Sequence, residues 1–307
     1  MTMTTNQRAA QAQARIAAIA DGVAGSVGMA AWPVGAPERA LGVRLDERFP
    51  TASTFKIPLL YALYQMVDRD EVDLSERVEI EERHRVPGSG VLQDLDLGLR
   101  PTIRDLSILM TVVSDNQATD MLYAIVGAER IHAALARLGL GSIEVPLDCR
   151  ALLFDYVGLD VANPEHTYAM FHERAHTGEY NRAGKAWSDQ AGSGNNLTSP
   201  RQMAALCDAI ERGEGLSAAA RDGAIDTLKR QKYSDRIPAG LPENVIVAHK
   251  TGSIKGVRND AGIVYAEAGP YVIALFSKGL EDEKKGVDAL AELSRAAWDA
   301  FGDGAPA

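Results

Sequence analysis

The chain is poor in cysteine and has no excess of positive charge. Both features exclude some classes of protein. Its 307 residues include two cysteines, Cys149 and Cys207, which form neither a disulfide framework nor a metal-ligand motif. The formal net charge is −10, which argues against a nucleic-acid partner because phosphate binding requires clustered lysine and arginine. We therefore expect a reduced protein without a metal or other cofactor.

Long apolar runs are also absent. No segment reaches the length of a membrane-spanning helix, so we expect no membrane insertion. The first residues, "MTMTTNQRAAQAQARIAAIADG", lack the basic start and apolar stretch of an export signal. We expect a cytoplasmic protein, although an exported protein whose signal had been removed would begin in the same way. The 46% hydrophobic fraction is typical of a globular protein, and we expect a monomer.

Strand patterns lie near both chain ends, and helical patterns lie between them. Alternating apolar residues predict two strands within residues 25–50 and three more within residues 244–279. The 3.6-residue period of helices dominates the chain between these regions and returns at 284–301. The expected fold is α/β (α+β), with a mostly antiparallel sheet built from both chain ends, flanking helices and an inserted all-helical lobe.

This pattern also predicts the domain organisation. We expect residues 1–307 to form a single domain with two sublobes. The α/β sublobe comprises 1–50 plus 215–307, and the all-helical sublobe comprises 51–214. The stretch 143–197 is the least regular part of the helical sublobe and includes a long polar loop. Such loops in compact domains are often functional.

A serine and a lysine three residues apart lie at the start of a predicted amphipathic helix, in "TASTFKIPLL". Ser53 and Lys56 share one helix face, and the positive end of the helix dipole favours a developing negative charge there. An amine beside a hydroxyl is one way to make a nucleophile. The alternative is a helix-capping serine followed by a surface lysine, because S-x-x-K arises by chance roughly once in such a chain.

Two further motifs change this balance. S-D-N occupies Ser114–Asn116 in the helical region, and K-T-G occupies Lys250–Gly252 at the end of a predicted strand. S-x-x-K, S-D-N and K-T-G in this order resemble the signature of class A β-lactamases and penicillin-binding proteins. Longer segments, such as "SDNQATDML", "NLTSPRQMAAL" and "HKTGSIKGVRNDAGIVY", are similar to class A β-lactamases as well. The resemblance implies the β-lactamase/transpeptidase-like fold and an active-serine hydrolase.

The resemblance assigns catalytic roles to five residues. Ser53 would attack an amide, ester or β-lactam carbonyl to form an acyl-enzyme, and Lys56, with its amine held neutral, would accept the hydroxyl proton. Ser114 would pass a proton to the leaving nitrogen. Asn116 would bridge Lys56 and the amide carbonyl of the substrate. Lys250 would supply the second cation and attract a substrate carboxylate.

The resemblance also assigns a substrate-binding strand. Thr251 and Ser253 would bind substrate in β-strand fashion, and Gly252 would let the substrate backbone approach the strand edge. The oxyanion would lie between the backbone N–H groups of Ser53 and Ser253.

Two charged residues near K-T-G remain open to a second interpretation. Arg258 is a candidate carboxylate clamp, because guanidinium binds carboxylate in a bidentate manner. The alternative for Arg258 is a salt bridge to Asp260 or another acid. We expect His249 to be a partly buried strand residue and not a catalytic base.

One family motif is missing. Class A β-lactamases carry an E-x-x-L-N loop whose Glu activates the deacylating water, and the matching stretch here places Arg150 or Ala151 at that position. Without this Glu the acyl-enzyme should form and hydrolyse slowly, unless another carboxylate substitutes. The candidate carboxylates, each alternatively a surface acid or a loop anchor, are Asp148, Asp155, Asp160 and Glu165.

The same irregular region contains "HERAH", His172–His176. H-E-x-x-H on a helix would place two imidazoles on one face for zinc, with Glu173 as the base. Arg174 would set a cation beside that metal, so we expect no metal site. We expect Phe171 and His172 to pack partly and His176 to face solvent.

Three functions follow from these residues. The first is a serine hydrolase acting on a small-molecule amide, ester or β-lactam. The second is a penicillin-binding-protein-like peptidase or an acyltransferase, which the missing Glu favours because an amine acceptor needs less activation than water. The third is a binding module that traps one acyl group without turnover.

Overall fold

The computed structural model describes residues 5–302 of the chain. Its helices are α1 (Thr5–Asp21), α2 (Lys56–Val67), α3 (Ile103–Val112), α4 (Asn116–Val126), α5 (Ala128–Arg137), α6 (Cys149–Tyr156), α7 (Tyr168–Thr177), α8 (Pro200–Arg212), α9 (Ala218–Lys229) and α10 (Glu283–Phe301). Its strands are β1 (Ser26–Pro33), β2 (Leu41–Val43), β3 (Phe49–Pro50), β4 (Leu197–Thr198), β5 (Ile246–Ile254), β6 (Val257–Ala266) and β7 (Gly269–Lys278).

The main sheet joins both ends of the chain. Its five antiparallel strands follow the order β2-β1-β7-β6-β5. β1, from the N-terminal region, pairs with β7, from the C-terminal region, with Met29 opposite Leu275. The predicted α/β (α+β) fold, with an antiparallel sheet built from both chain ends, is therefore confirmed. β5 is the last strand of this order, so the K-T-G motif lies on a terminal strand of the sheet.

Helices α1 and α10 cover one face of this sheet. Ile16 of α1 and Leu290 and Leu293 of α10 are fully buried in one apolar cluster with Met29 and Ile273 of the sheet. Burial of a large aliphatic side chain contributes about 1.5–3 kcal/mol. The cluster therefore holds the N-terminal and C-terminal segments together, which keeps β5 and β6 in register with the rest of the sheet.

Internal contacts divide the chain into two units. One unit contains the residues up to Thr54 and those from Thr198 onwards, and the other contains Phe55–Leu197. Helix α8 therefore belongs to the unit with the sheet, whereas the predicted helical sublobe 51–214 included it. The reason is its packing, because α8 contacts β7, β1 and β6. The second unit contains the helices from α2 to α7.

Helix α2 differs from the predicted amphipathic helix. The segment Ala52–Phe55 is a 3-10 turn, and the α-helix begins at Lys56. Every residue from Lys56 to Met66 is buried. A helix that is apolar on all sides lies inside a protein and not on its surface. A buried position for Lys56 follows directly from this placement.

The least regular segment of the sequence contains two helices, α6 and α7. Phe154 and Val157, at the end of α6, form a small apolar cluster with Leu159 and with Phe171 of α7. Phe154 and Phe171 stack with their ring centroids 6.0 Å apart. This local cluster gives the segment its own core, although its sequence has a weak periodic pattern.

Within residues 5–302, no helix combines the length and the apolar character that a bilayer-spanning segment requires.

Candidate active site

Ser53 lies in a strained turn that the sheet unit holds from one side. Ala52, the preceding residue, has φ +43°, a left-handed conformation that costs a non-glycine residue of the order of 1 kcal/mol. The side chain of Asn259 on β6 donates to the carbonyl oxygens of Pro50 and Thr51, at 2.8 and 3.0 Å. These bonds compensate the strain and position the backbone immediately before Ser53.

Strand β5 approaches this turn closely at Gly252. A β-carbon at this position would lie 2.7 Å from the carbonyl oxygen of Thr51 and 3.0 Å from the amide nitrogen of Ser53. Only glycine avoids this clash without moving the turn or the strand. The sequence analysis assigned Gly252 to the approach of a substrate backbone, whereas in the structure the glycine admits the protein's own turn.

In the helical unit, Lys56 lies next to the S-D-N motif. Its Nζ donates to the carbonyl oxygen of Ser114 at 2.8 Å and to Asn116 Oδ1 at 2.9 Å, and it lies 3.1 Å from Ser114 Oγ. The hydroxyl of Ser114 is thus within hydrogen-bond reach of the amine. Ser114 has φ +58°, which turns its carbonyl toward the lysine.

A short loop before α3 is fixed to the same motif. The Asp115 carboxylate accepts the backbone N–H groups of Val91 and Leu92 through Oδ2, at 2.6 and 2.9 Å. Its other oxygen accepts the N–H of Ala118 at 2.9 Å and so caps α4. Gly90 packs directly against Asp115, where a β-carbon would clash. The central residue of S-D-N therefore fastens this loop to the start of α4.

The amine of Lys56 lies in the interior of the helical unit. The residue is 1% exposed, and burial lowers the pKa of its amine. The neighbouring Cys149, Asp120 and Asp115 oppose this effect and raise the pKa in part. The net direction is downward, which makes the uncharged amine more accessible than in a surface lysine.

The K-T-G strand carries a second buried lysine. Lys250 is fully buried, and its Nζ donates to the carbonyl oxygen of Thr251 at 2.7 Å. Thr251 is also buried, whereas Ser253 is exposed at the end of the strand. Lys250, the first residue of the motif, therefore lies in the protein interior, and Ser253, the residue that follows the motif, lies at the surface.

Arg236 is a residue that the sequence analysis missed. Its guanidinium donates to Ser253 Oγ at 2.7 Å, to the carbonyl oxygen of Gly252 at 3.1 Å and to that of Asn259 at 2.6 Å. Because Ser253 Oγ accepts this bond, its own O–H is able to donate elsewhere. No motif marks Arg236, which lies outside the strand that it supports.

Arg258 does not contribute its guanidinium to the K-T-G strand in the way that a carboxylate clamp would. It forms a salt bridge with Glu283 at the start of α10 and donates to the carbonyl oxygens of Ile254 and Val257. The alternative interpretation, a structural salt bridge, describes this contact, with Glu283 as the acid. Asp260 instead binds Nδ1 of His249 at 2.8 Å.

The start of α6 is held by a half-buried carboxylate of α4. Asp120 accepts the backbone N–H of Cys149 at 2.7 Å and that of Arg150 at 2.8 Å, one on each oxygen. Burial raises the pKa of Asp120 to about 8, and the nearby Asp148 raises it further, although the two N–H bonds oppose the shift. Burial also raises the pKa of the Cys149 thiol well above its usual value.

The four candidate carboxylates of this region have local structural contacts. Asp148 accepts the N–H of Ala151 and caps α6, Asp155 accepts the N–H of Ala186, and Asp160 accepts the N–H of Ala162. Glu165 is exposed. For the three aspartates these bonds correspond to the loop-anchor alternative.

The "HERAH" segment lies in α7. His172 contacts the ring of Tyr168 edge-on, with the centroids 4.5 Å apart, and both histidines of the segment are exposed. The guanidinium of Arg174 donates to the carbonyl oxygens of Val157 and Gly158. His172 is thus less buried than expected, while Phe171 packs in the local core. In the described part of the chain, no three His, Cys, Asp or Glu side chains cluster as metal ligands.

The structure brings some predicted residues together and leaves others apart. Lys56, Ser114 and Asn116 form one hydrogen-bonded cluster, and Gly252 adjoins the backbone of Ser53. Arg258 belongs to neither arrangement. Asp120 could have been suspected from its spacing, because it lies one helical turn after Asn116 on α4.

An antiparallel sheet built from both chain ends, with a helical unit between them in the sequence, is the architecture of the β-lactamase/transpeptidase-like fold. Residues 11–301 match the family described as the β-lactamase enzyme family. The chain belongs to this family, and its fold and enzyme class follow from that membership.

Individual relatives agree with this assignment. β-Lactamase L2 of Stenotrophomonas maltophilia is 27% identical over 264 residues, which cover 84% of this chain and 76% of the relative. The crystal structure of a β-lactamase from Sphaerobacter thermophilus DSM 20745 has 29% identity and a TM-score of 0.77 and covers 97% of this chain and 99% of its own. A mutant of PBP-A, solved as an acyl-enzyme complex with penicillin G, has 26% identity, a TM-score of 0.75 and 96% coverage of both chains.

Proposed function

We propose that this enzyme forms an acyl-enzyme on Ser53 with a small-molecule amide, ester or β-lactam and releases the acyl group slowly to water. The observation that carries the proposal is the buried amine of Lys56, which donates to both Ser114 and Asn116. A buried amine with a lowered pKa is a competent general base near neutral pH.

The proposed acylation conserves protons at each step. The uncharged amine of Lys56 takes the proton of the Ser53 hydroxyl while the oxygen attacks the carbonyl carbon. The negative charge that develops on the carbonyl oxygen is stabilised by the backbone N–H groups of Ser53 and Ser253. The Lys56 ammonium then passes its proton to Ser114, whose Oγ lies 3.1 Å from Lys56 Nζ, while Ser114 gives its own proton to the leaving nitrogen as the carbonyl–nitrogen bond breaks.

Substrate binding is proposed for the end of the K-T-G strand. The exposed hydroxyl of Ser253 accepts a bond from Arg236 and is able to donate to a substrate carboxylate. Lys250 contributes positive charge from within the strand. Thr251 and Ser253 would align a substrate along β5, which is the last strand of the sheet.

The proposed slow release of the acyl group follows from the residues at the start of α6. The sequence places Arg150 or Ala151, in the first turn of α6, where the family carries its deacylating Glu, and neither side chain is a carboxylate. The neighbouring Cys149 does not substitute for that Glu, because a buried thiol with a raised pKa stays protonated and is a poor base for water.

A second function, acyl transfer to an amine, is favoured by the engagement of the loop carboxylates. Asp148, Asp155 and Asp160 each accept a backbone N–H group. Each of them therefore has a structural role in its own segment. An amine acceptor is a better nucleophile than water and needs less help from a base.

Replacement of Ala151 by Glu tests the proposal. We expect the wild type to show a rapid acylation burst and slow release, and Ala151→Glu to release free acid at least tenfold faster, since a general base contributes about 10²–10⁴-fold. Quenched-flow intact-mass spectrometry with penicillin G and an activated ester measures both phases, with and without an added primary amine.

Ala151→Gln is the matched control, because Gln has the size of Glu without a carboxylate. It should retain slow release. Equal acceleration in the Gln variant would contradict the role given to the missing carboxylate, and fast release of free acid by the wild type would contradict slow turnover. Amine-dependent consumption of the adduct would identify transfer as the main reaction.

A further inference from the structure

The hydroxyl of Ser89 shares an acceptor with the Lys56 amine. Ser89 Oγ donates to the carbonyl oxygen of Ser114 at 2.7 Å, and the Lys56 Nζ donates to the same oxygen at 2.8 Å. Ser89 Oγ also lies 3.3 Å from Asn116 Oδ1, which is the second acceptor of the lysine. One exposed serine side chain thus contacts both groups that bind the amine.

The backbone around Ser89 leaves this hydroxyl little freedom. The carbonyl oxygen of Ser89 accepts the N–H of Asn116 at 2.9 Å, and the Asn116 side chain donates to the carbonyl oxygen of Pro87 at 2.9 Å. Gly90, the next residue, packs against Asp115 so closely that a β-carbon would clash. The backbone is therefore fixed on both sides of Ser89, and this holds the hydroxyl of Ser89 next to the Ser114 carbonyl.

We propose that Ser89 is a positioning residue of the acylation site, whose hydroxyl holds the Ser114 carbonyl and favours the uncharged form of the Lys56 amine. A carbonyl oxygen that already accepts one hydrogen bond is a weaker acceptor for a second donor. The hydroxyl hydrogen of Ser89 also brings partial positive charge toward the amine, which disfavours the ammonium form. This inference rests on the proposed function, in which Lys56 must be uncharged to act as a base.

The other groups that act on the pKa of the amine belong to different elements and are not replaced in a Ser89 variant. They are the thiol of Cys149 on α6 and the carboxylates of Asp120 on α4 and Asp115 before it. Ser89 is exposed, so that removal of its hydroxyl leaves no buried cavity. A change in the proton affinity of Lys56 would therefore report the lost hydroxyl itself.

The test is a direct titration of the amine. Lysines carrying ¹³C at the ε-carbon are titrated by NMR in the wild type and in Ser89→Ala, and the Lys56 signal is identified by its absence from Lys56→Ala. We expect the Lys56 midpoint to rise by about half a pH unit to one pH unit in Ser89→Ala, which corresponds to the loss of one hydrogen bond. The acid limb of the acylation rate should move to higher pH by the same amount.

Two variants control the result. Ser89→Thr keeps the hydroxyl and should restore the wild-type midpoint. Ser75→Ala removes another exposed hydroxyl of the same unit, one that donates to Asp73, and should leave the midpoint unchanged. An unchanged midpoint in Ser89→Ala, or an equal shift in Ser75→Ala, would overturn the inference.

The two readouts separate this inference from the proposed function. The NMR titration follows the amine whether or not Ser53 is acylated. A shifted midpoint in a protein that forms no adduct would uphold the role of Ser89 in tuning Lys56 and would remove the proposed acylation. Acylation with an unshifted midpoint would uphold the proposed acylation and would remove the role of Ser89.

Discussion

At the scale of single residues, two arginines near the K-T-G strand differ in what they support. Arg236 donates to the Ser253 hydroxyl and to the Gly252 carbonyl, whereas Arg258 pairs with Glu283. Only Arg236 orients a group that the proposed mechanism presents to substrate. The two residues are therefore a natural pair for comparison.

We expect Arg236→Ala to raise the KM for a carboxylate-bearing β-lactam by about tenfold to a hundredfold, because a lost charge-assisted bond costs about 1.5–3 kcal/mol. The KM for a neutral activated ester should change less. Steady-state kinetics with both substrates, at matched folding by circular dichroism, measure the difference.

Arg258→Ala is the matched control for this prediction. It should lower the melting temperature modestly, because a partly exposed ion pair contributes little, and should leave the ratio of the two KM values unchanged. A selective loss of the carboxylate substrate in Arg258→Ala, with none in Arg236→Ala, would restore the original assignment of Arg258.

Residue type and order were enough to single out Lys56, Ser114 and Asn116 in the sequence, because their spacing forms rare motifs. Arg236 and Ser89 lie outside such motifs. Their contacts depend on the path of a loop and on strand register, which short-range sequence patterns do not encode. The burial of Lys56 was equally inaccessible, since it results from the packing of α2 on all sides.

At the scale of elements, the contact between α4 and α6 determines where the start of α6 lies. Asp120 reaches from α4 to the first two N–H groups of α6. These groups have no partner within their own helix. The carboxylate of Asp120 therefore acts as a cap supplied by another helix, and it determines where Cys149 lies.

Because of the raised pKa of Asp120, we expect the free energy of unfolding to fall as the pH rises. Burial raises the pKa of Asp120 to about 8 in the folded protein, so the folded state retains a proton that the unfolded state releases above the ordinary pKa of 3.8. The stability that Asp120 contributes is fully present below pH 3.8 and is lost as the pH rises through about 8.

Asp120→Asn should flatten this dependence, because the amide does not titrate. Thermal unfolding between pH 5 and about pH 8.5 gives the slope of melting temperature against pH for both proteins. The slope is the informative quantity, since Asn offers one acceptor oxygen where Asp offers two and will lower the absolute stability. Parallel slopes in the two proteins would contradict a raised pKa at Asp120.

Elements were predictable to different degrees. The strands β5, β6 and β7 and the closing helix α10 follow alternation and the 3.6-residue period, and they lie where those patterns placed them. The segment containing α6 and α7 has a weak period, because its core is a local aromatic cluster around Phe154 and Phe171. Helix α2 has apolar residues on every side, so its pattern does not distinguish a buried helix from an amphipathic one.

At the scale of the whole molecule, the placement of strands at both chain ends was sufficient to predict the antiparallel sheet. β1 and β7 are adjacent because the first and last segments share one apolar cluster. The family match over residues 11–301 agrees with this architecture. The division at Thr54 and Thr198 was harder to predict, because α8 has the same periodic pattern as the helices of the other unit.

The claim on which the account depends is that Ser53 is the residue that becomes acylated. Incubation of the wild type and Ser53→Ala with penicillin G, followed by intact-mass spectrometry and peptide mapping, tests it directly. We expect one acyl adduct per wild-type chain, mapped to the peptide containing Ser53, and no adduct in Ser53→Ala. An adduct that persists in Ser53→Ala, or that maps to another residue, would contradict the account.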